Sequence, residues 1–145
     1  MKPNLTRGDV ATDDRGHLRF VNNFEVEKYQ RFYLIENYQA GFVRAWHGHK
    51  LDGKAFFVTR GAALVGAVRI DDWDSPSTNL TVDRVVLSSE KPAVFEIPPG
   101  YANGFMALEY ATQVLVFSMM PFDQAADDDY RFPASHWDIW SVEER

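Results

Sequence analysis

Apolar residues recur at every second position in short runs, and each run stops at a cluster of turn-forming residues. That period puts alternate side chains on opposite faces of an extended chain, as in a half-buried antiparallel strand. The pattern predicts strands over about residues 17–21 (HLRFV), 31–36 (RFYLIE), 41–47 (GFVRAWH), 54–59 (KAFFVT) and 62–70 (AALVGAVRI), then 80–87 (LTVDRVVL), 92–97 (PAVFEI), 102–108 (ANGFMAL) and 112–119 (TQVLVFSM). Turns separate them at DDRG (13–16), TRG (59–61), DDWDSPS (71–77), SSEKP (88–92) and IPPGY (97–101). Only the tail from Asp123 to Arg145 reads as helical or irregular, with Pro133 breaking any long helix. Short strands recurring about every ten residues predict an all-β sandwich or small barrel, the compact ways to hide a sheet's apolar face. At 145 residues the chain is expected to be one domain, spanning 1–145.

Composition narrows the function. Apolar residues make up 46% of the chain, enough to fill a core. The formal charge of −6 argues against nucleic-acid binding, which rests on a basic surface that releases counterions, but leaves room for a small anionic ligand. With no cysteine there is neither a disulfide framework nor a thiolate metal site. The opening MKPNLTRGDV carries no apolar leader core, and no run approaches the roughly 18 apolar residues of a membrane span. A cytoplasmic protein with no membrane partner is the expectation, and the sequons at Asn4 and Asn79 are then incidental.

The stretch RAWHGHKLDGK (44–54) concentrates the candidate chemistry. If 41–49 is extended, Val43, Ala45, His47 and His49 share one face, and Trp46 on the other belongs to the core or an interface. A lone loop histidine is more often an exposed turn residue; two imidazoles on one face with apolar neighbours favour a site.

The spacing Gly41, His47, His49, Lys54, Gly61 resembles the first cupin motif, with Lys54 in place of the glutamate. Pro98, Gly100 and Asn103 resemble the second, with Asn103 in place of a histidine. The resemblance implies a cupin-type jelly-roll barrel. Metal-binding cupins hold their ion with the two histidines, the glutamate and the last histidine. An ammonium has no lone pair to give and repels a cation, so the expectation is a site with no metal and no cofactor. What remains is a polar cluster of His47, His49, Lys54 and Asn103 in an apolar cup, suited to proton transfer beside a carbonyl: histidine titrates nearest neutrality, and a cation or amide steadies the enolate oxygen.

The chain also resembles, over about residues 13–120, the cupin branch of dTDP-4-dehydrorhamnose 3,5-epimerases and sugar-nucleotide 3,4-ketoisomerases. VRAWHGHKLDGKAFFVTRGAALVGAVRIDDWDSPS and IPPGYANGF are similar to the epimerase pattern, and Arg44, His47, His49 and Lys50 to the ketoisomerase pattern Arg-x-x-His-x-His-Lys. The second segment tips the reading toward an epimerase acting beside the C4 ketone of a nucleoside-diphosphate 4-keto-6-deoxyhexose. A 3,4-ketoisomerase is the alternative, and a non-catalytic sugar- or nucleotide-binding barrel the third reading. The resemblance implies His47 as the base, Lys54 beside the enolate oxygen and Arg44 on the phosphates, with His49 in proton shuttling; it also implies a homodimer. In the epimerases a late-strand tyrosine returns the proton; here QVLVFSMM puts Val116 or Phe117 there, so Tyr101, Tyr33 or His49 substitutes, or the reaction differs. An aspartate that orients the base in that family has no clear counterpart.

Tyr101, after the rigid Pro98-Pro99-Gly100 turn, and Asn103 are expected to contact substrate. Asp71 and Asp72 read as a solvated turn, Asp127 to Asp129 as a charged surface, and His17 and His136 as structural or surface residues. Trp137 and Trp140 are expected to plug the barrel end or form a dimer contact.

Overall fold

The computed structural model describes residues 1–141 and 145. Its strands are β1 (Asn4–Arg7), β2 (Asp9–Asp13), β3 (Gly16–Phe20), β4 (Arg31–Asn37), β5 (Val43–His49), β6 (Lys54–Arg60), β7 (Ala62–Arg69), β8 (Val82–Ser88), β9 (Ala93–Ile97), β10 (Tyr101–Ala107), β11 (Thr112–Ser118) and β12 (Tyr130–Arg131). A single helical turn, α1 (Phe122–Ala125), precedes β12. One sheet runs β1-β9-β6-β11-β4 and the other β12-β5-β10-β7-β8, every neighbour antiparallel. The two sheets close face to face into the expected jelly roll. β2 and β3 stand apart as a two-stranded ribbon.

Alternation explains each wall. In β11, Thr112, Val114, Val116 and Ser118 point inward and the residues between them are half-exposed. Between the sheets Phe56, Val58, Val65, Phe95, Phe105 and Val114 form the main core. β7 is buried on both faces, because the tail packs on the outside of the second sheet. There Trp46 lies 5.1 Å from Trp140 and 5.6 Å from Trp137, and its indole N–H donates to the Ala134 carbonyl at 3.2 Å. Trp137 and Trp140 therefore cover a sheet face rather than plug the barrel end. At Gly61, φ is +79°, a conformation glycine adopts without steric cost, and it turns β6 into β7.

All nine expected strands are present with ends within two residues. The missed β1, β2 and β12 are short and carry few apolar residues, so no period marks them. A correction concerns the faces of β5. Opposite β10, His47 pairs with Asn103 but Ala45 pairs with Gly104, which leaves Trp46 as an extra residue. Such a bulge switches side-chain parity along the strand. Val43 and Ala45 consequently join Trp46 in the outer cluster, whereas Arg44 turns inward with His47 and His49.

Candidate active site

A cavity of about 390 Å³ opens between the sheets. The second sheet contributes Arg44, His47 and His49 from β5, Asn103 from β10 and Arg131 from β12. From the first sheet come Arg31 and Tyr33 on β4 and Lys54 on β6, above an apolar floor of Ile35, Phe56 and Val116. Phe122 of α1 stands at the mouth with 77% of its surface exposed. The structure thus brings together five of the six expected site residues: His47, His49, Lys54, Arg44 and Asn103.

Tyr101 is the correction. It is 6% exposed, packs in the main core and donates its hydroxyl to the Met1 carbonyl at 3.3 Å. Burial, followed by the charge of Asp83, pushes its phenol upward. It points inward like Asn103, but it is not among the residues that line the cavity.

His47 titrates below its ordinary 6.5, first because it is buried and then because Arg131 lies near, with Asp129 acting in the opposite sense. His49 is also lowered, chiefly by burial, while its bond to a carbonyl raises it and Lys54 lowers it. Both imidazoles are therefore largely neutral at pH 7 and can accept a proton. The Nδ1 of His49 lies 2.6 Å from the Asp128 carbonyl oxygen. Since a carbonyl only accepts, Nδ1 is assigned the hydrogen, and the Nε2 lone pair of neutral His49 is left free.

Lys54 holds its ammonium 2.9 Å from Asp52 Oδ2, with side-chain exposures of 5% and 0%. Asp52 also accepts from the Ser118 hydroxyl at 2.7 Å and from the amides of Met119 and Met120 at 3.0 and 3.2 Å. A buried carboxylate needs that many donors to offset its desolvation. Arg44 donates Nε to Asn37 Oδ1 at 2.8 Å, which fixes the guanidinium and leaves its terminal nitrogens unbound among the described residues. Arg31 donates Nε to the Met120 carbonyl at 3.2 Å and lies over the rings of Tyr33 (5.2 Å) and Phe122 (5.6 Å).

Among the described residues four cations, Arg31, Arg44, Lys54 and Arg131, line this cavity against one carboxylate, Asp129. An acidic chain with such a cation-rich hollow is built to draw in an anion. Arg31, Phe122 and Arg131 were not singled out by the sequence, because they come from segments that share no motif with β5. The run Asp127 to Asp129 requires a second correction: Asp127 is surface, but Asp128 is 4% exposed and fully engaged, and Asp129 lines the cavity and pairs with Arg131 at 3.1 Å. As read, Asp71 and Asp72 cap an exposed turn, Asp71 through Ser77. His17 bonds Thr12 on the exposed ribbon, and His136 the Pro76 carbonyl.

The jelly roll is the fold that solved sugar-nucleotide epimerases and ketoisomerases share. The model of the dTDP-4-dehydrorhamnose 3,5-epimerase family matches residues 5–141, and the chain belongs to that family. Among solved structures, the dTDP-4-dehydrorhamnose 3,5-epimerase of Sulfolobus tokodaii is 26% identical, covering 94% of this chain and 80% of that one at a TM-score of 0.76. The Bacillus anthracis dTDP-4-dehydrorhamnose 3,5-epimerase with TDP and PPi bound is 21% identical over 88% of this chain and 76% of that one, TM-score 0.72. A 3,4-ketoisomerase from Thermoanaerobacterium thermosaccharolyticum, a double mutant in complex with TDP, shares the fold at 18% identity, 94% and 92% coverage and a TM-score of 0.67. No curated protein matches the chain in sequence. Among the described residues no helix is long and apolar enough to cross a membrane.

Proposed function

We propose that the cavity binds a nucleoside-diphosphate 4-keto-6-deoxyhexose and inverts a carbon beside its C4 ketone. The observation that carries this reading is the placement of His47 and His49 on one sheet with Tyr33 and Lys54 on the sheet facing it. Inversion needs a base on one side of the sugar ring and a proton donor on the other, and the two walls supply them.

His47 removes the proton from the carbon next to the ketone, and the electron pair moves into the carbonyl oxygen. The ammonium of Lys54, held by Asp52, stabilises that oxygen as it becomes an enolate. Tyr33 then delivers its hydroxyl proton to the same carbon from the opposite face, and the enolate collapses back to the ketone. Arg44, Arg31 and Arg131 grip the diphosphate, since planar guanidinium groups match paired anionic oxygens. Phe122, open at the mouth, offers a ring for the nucleobase to stack on. Asn103 donates its amide to a sugar oxygen. The TDP held by two of the relatives supports thymidine as the nucleoside.

A second reading rests on the neighbouring imidazoles. If His47 takes the proton from C3 and returns it to C4 on the same face, while the free Nε2 of His49 takes the proton of the C3 hydroxyl and passes it to the C4 oxygen, the ketone moves to C3. Incubating dTDP-4-keto-6-deoxyglucose with the protein in D2O and reading the sugar by NMR separates the two. Deuterium at C3 or C5 with inverted configuration supports the epimerase, and a C3 ketone supports the ketoisomerase. Binding with neither change would leave a barrel that only holds the nucleotide sugar.

A further inference from the structure

Asp128 is a buried carboxylate in the tail, yet the proton-transfer scheme above gives it no part. Its Oδ1 accepts the Lys50 amide at 2.8 Å, and its Oδ2 accepts the amides of Leu51 and Asp52 at 2.9 and 2.8 Å. Three consecutive N–H groups of the β5–β6 loop thus converge on one side chain. The same residue's carbonyl holds Nδ1 of His49. The loop it clamps carries Asp52, whose carboxylate holds the Lys54 ammonium.

We propose that Asp128 is a positioning residue that sets two cavity side chains together, His49 through its carbonyl and Lys54 through the clamped loop and Asp52. The inference rests on the proposed function for what those side chains do, but the geometry is independent of it. One ionised side chain with three donors and no competing solvent defines the loop within a few tenths of an ångström, because charge-assisted bonds are short and directional. The carbonyl of Asp128 is held in place by that same anchoring, so the His49 tautomer and the Lys54 position rise and fall together. A second tie keeps the loop in place if the first is cut: Nζ of Lys50 lies 4.8 Å from the Tyr130 ring and 5.5 Å from that of Trp73. Removing the carboxylate therefore loosens the site without releasing the loop.

Asp128→Asn tests the assignment, because an amide puts an NH2 group against backbone donors where an oxygen now accepts. Imidazole 15N shifts of the full chain should show His49 with hydrogen on Nδ1 in the parent protein and a mixture of tautomers in D128N. Turnover of dTDP-4-keto-6-deoxyglucose should fall by about 10–100-fold in kcat, with KM changed by less than about threefold, since misplacement of reacting groups acts on the chemical step. Asp52→Asn should lower kcat similarly while leaving the His49 shifts as in the parent, which separates the two arms. Hydrogen on Nε2 of His49 in the parent overturns the proposal, whatever D128N does. So does a D128N protein that melts earlier but keeps parental His49 shifts and kcat, the behaviour of a purely structural clamp. If the parent protein turns over no sugar nucleotide, the functional reading fails, while the 15N shifts still decide whether Asp128 sets His49.

Discussion

Tyr33 on β4 sits directly across from Val116 on β11, and both side chains face the cavity. The family resemblance places its proton-returning tyrosine on the later strand, so the phenol here enters from the neighbouring one, about 5 Å away. Phenylalanine in its place keeps the ring and removes the proton. Tyr33→Phe is expected to cut inversion by about 10²–10⁴-fold, the usual yield of a general acid, while deuterium still washes into the substrate from D2O. Adding Val116→Tyr to that variant should restore part of the inversion. Loss of washing-in together with inversion would place Tyr33 on the wrong step.

His47 is expected to be the base. His47→Ala should lower kcat/KM by about 10²–10⁴-fold without changing the far-UV spectrum or the melting temperature by more than a degree or two, because its ring has no hydrogen-bond partner to lose among the described residues. Activity within about tenfold of the parent would transfer the role to His49.

The shape of the pH profile follows from burial. Both histidines titrate below 6.5, so the base stays unprotonated into mildly acid solution, and the acid limb of kcat/KM should have its midpoint below pH 6.5. Arg131→Leu removes a charge that lowers His47 and frees Asp129, which raises it; both effects shift the limb upward. Stability moves with the same groups. The unfolded chain takes up these protons near 6.5 and the folded chain only lower, so the contribution is complete above 6.5 and is lost as pH falls through the folded values. A kcat/KM limb at or above 6.5 in the parent would show that the base is not one of these imidazoles.

The nine strands were legible because burial on one face writes a period of two into the sequence, and the core of the site was legible because β5 and β6 carry the first motif and β10 the end of the second. What remained hidden is non-local. Nothing in RAWHGHK reveals that Trp46 is an extra residue, since the bulge is defined only by the register with β10, and that bulge turns Arg44 inward. Asp127, Asp128 and Asp129 are chemically identical in sequence; only the path of the tail beneath β5 buries the middle one. Tyr101 was read as a substrate contact because it follows the rigid Pro-Pro-Gly turn, whereas it opens the central strand β10 and packs in the core.

Arg44 is expected to act on binding. With Nε fixed by Asn37, its terminal nitrogens offer two parallel donors to a diphosphate. Arg44→Ala should raise KM by about tenfold or more and leave kcat within about threefold, since a group distant from the reacting carbon contributes equally to ground and transition states. Added salt should raise KM more for the parent, whose attraction is electrostatic, than for the variant, so the gap between them should narrow. A change confined to kcat would move Arg44 from the phosphates to the sugar.

Gly48 separates the two histidines for a steric reason on the other face of β5. A Cβ there would lie 2.8 Å from the Trp73 ring and 3.1 Å from that of Phe132. Those rings cannot simply swing away, because Trp73 is held against Tyr130 at 5.0 Å and packs with Phe132 in the outer cluster. Gly48→Ala therefore overpacks the site and should cost about 1–3 kcal/mol, seen as a melting temperature lower by several degrees. Trp73→Leu added to Gly48→Ala makes room for the methyl, so the double variant should lose less than the two single variants combined. The histidines point to the opposite face, so the remaining folded protein should keep most of its kcat. A melting temperature within about a degree of the parent would mean that the rings over Gly48 yield freely and that the glycine is there for some other reason.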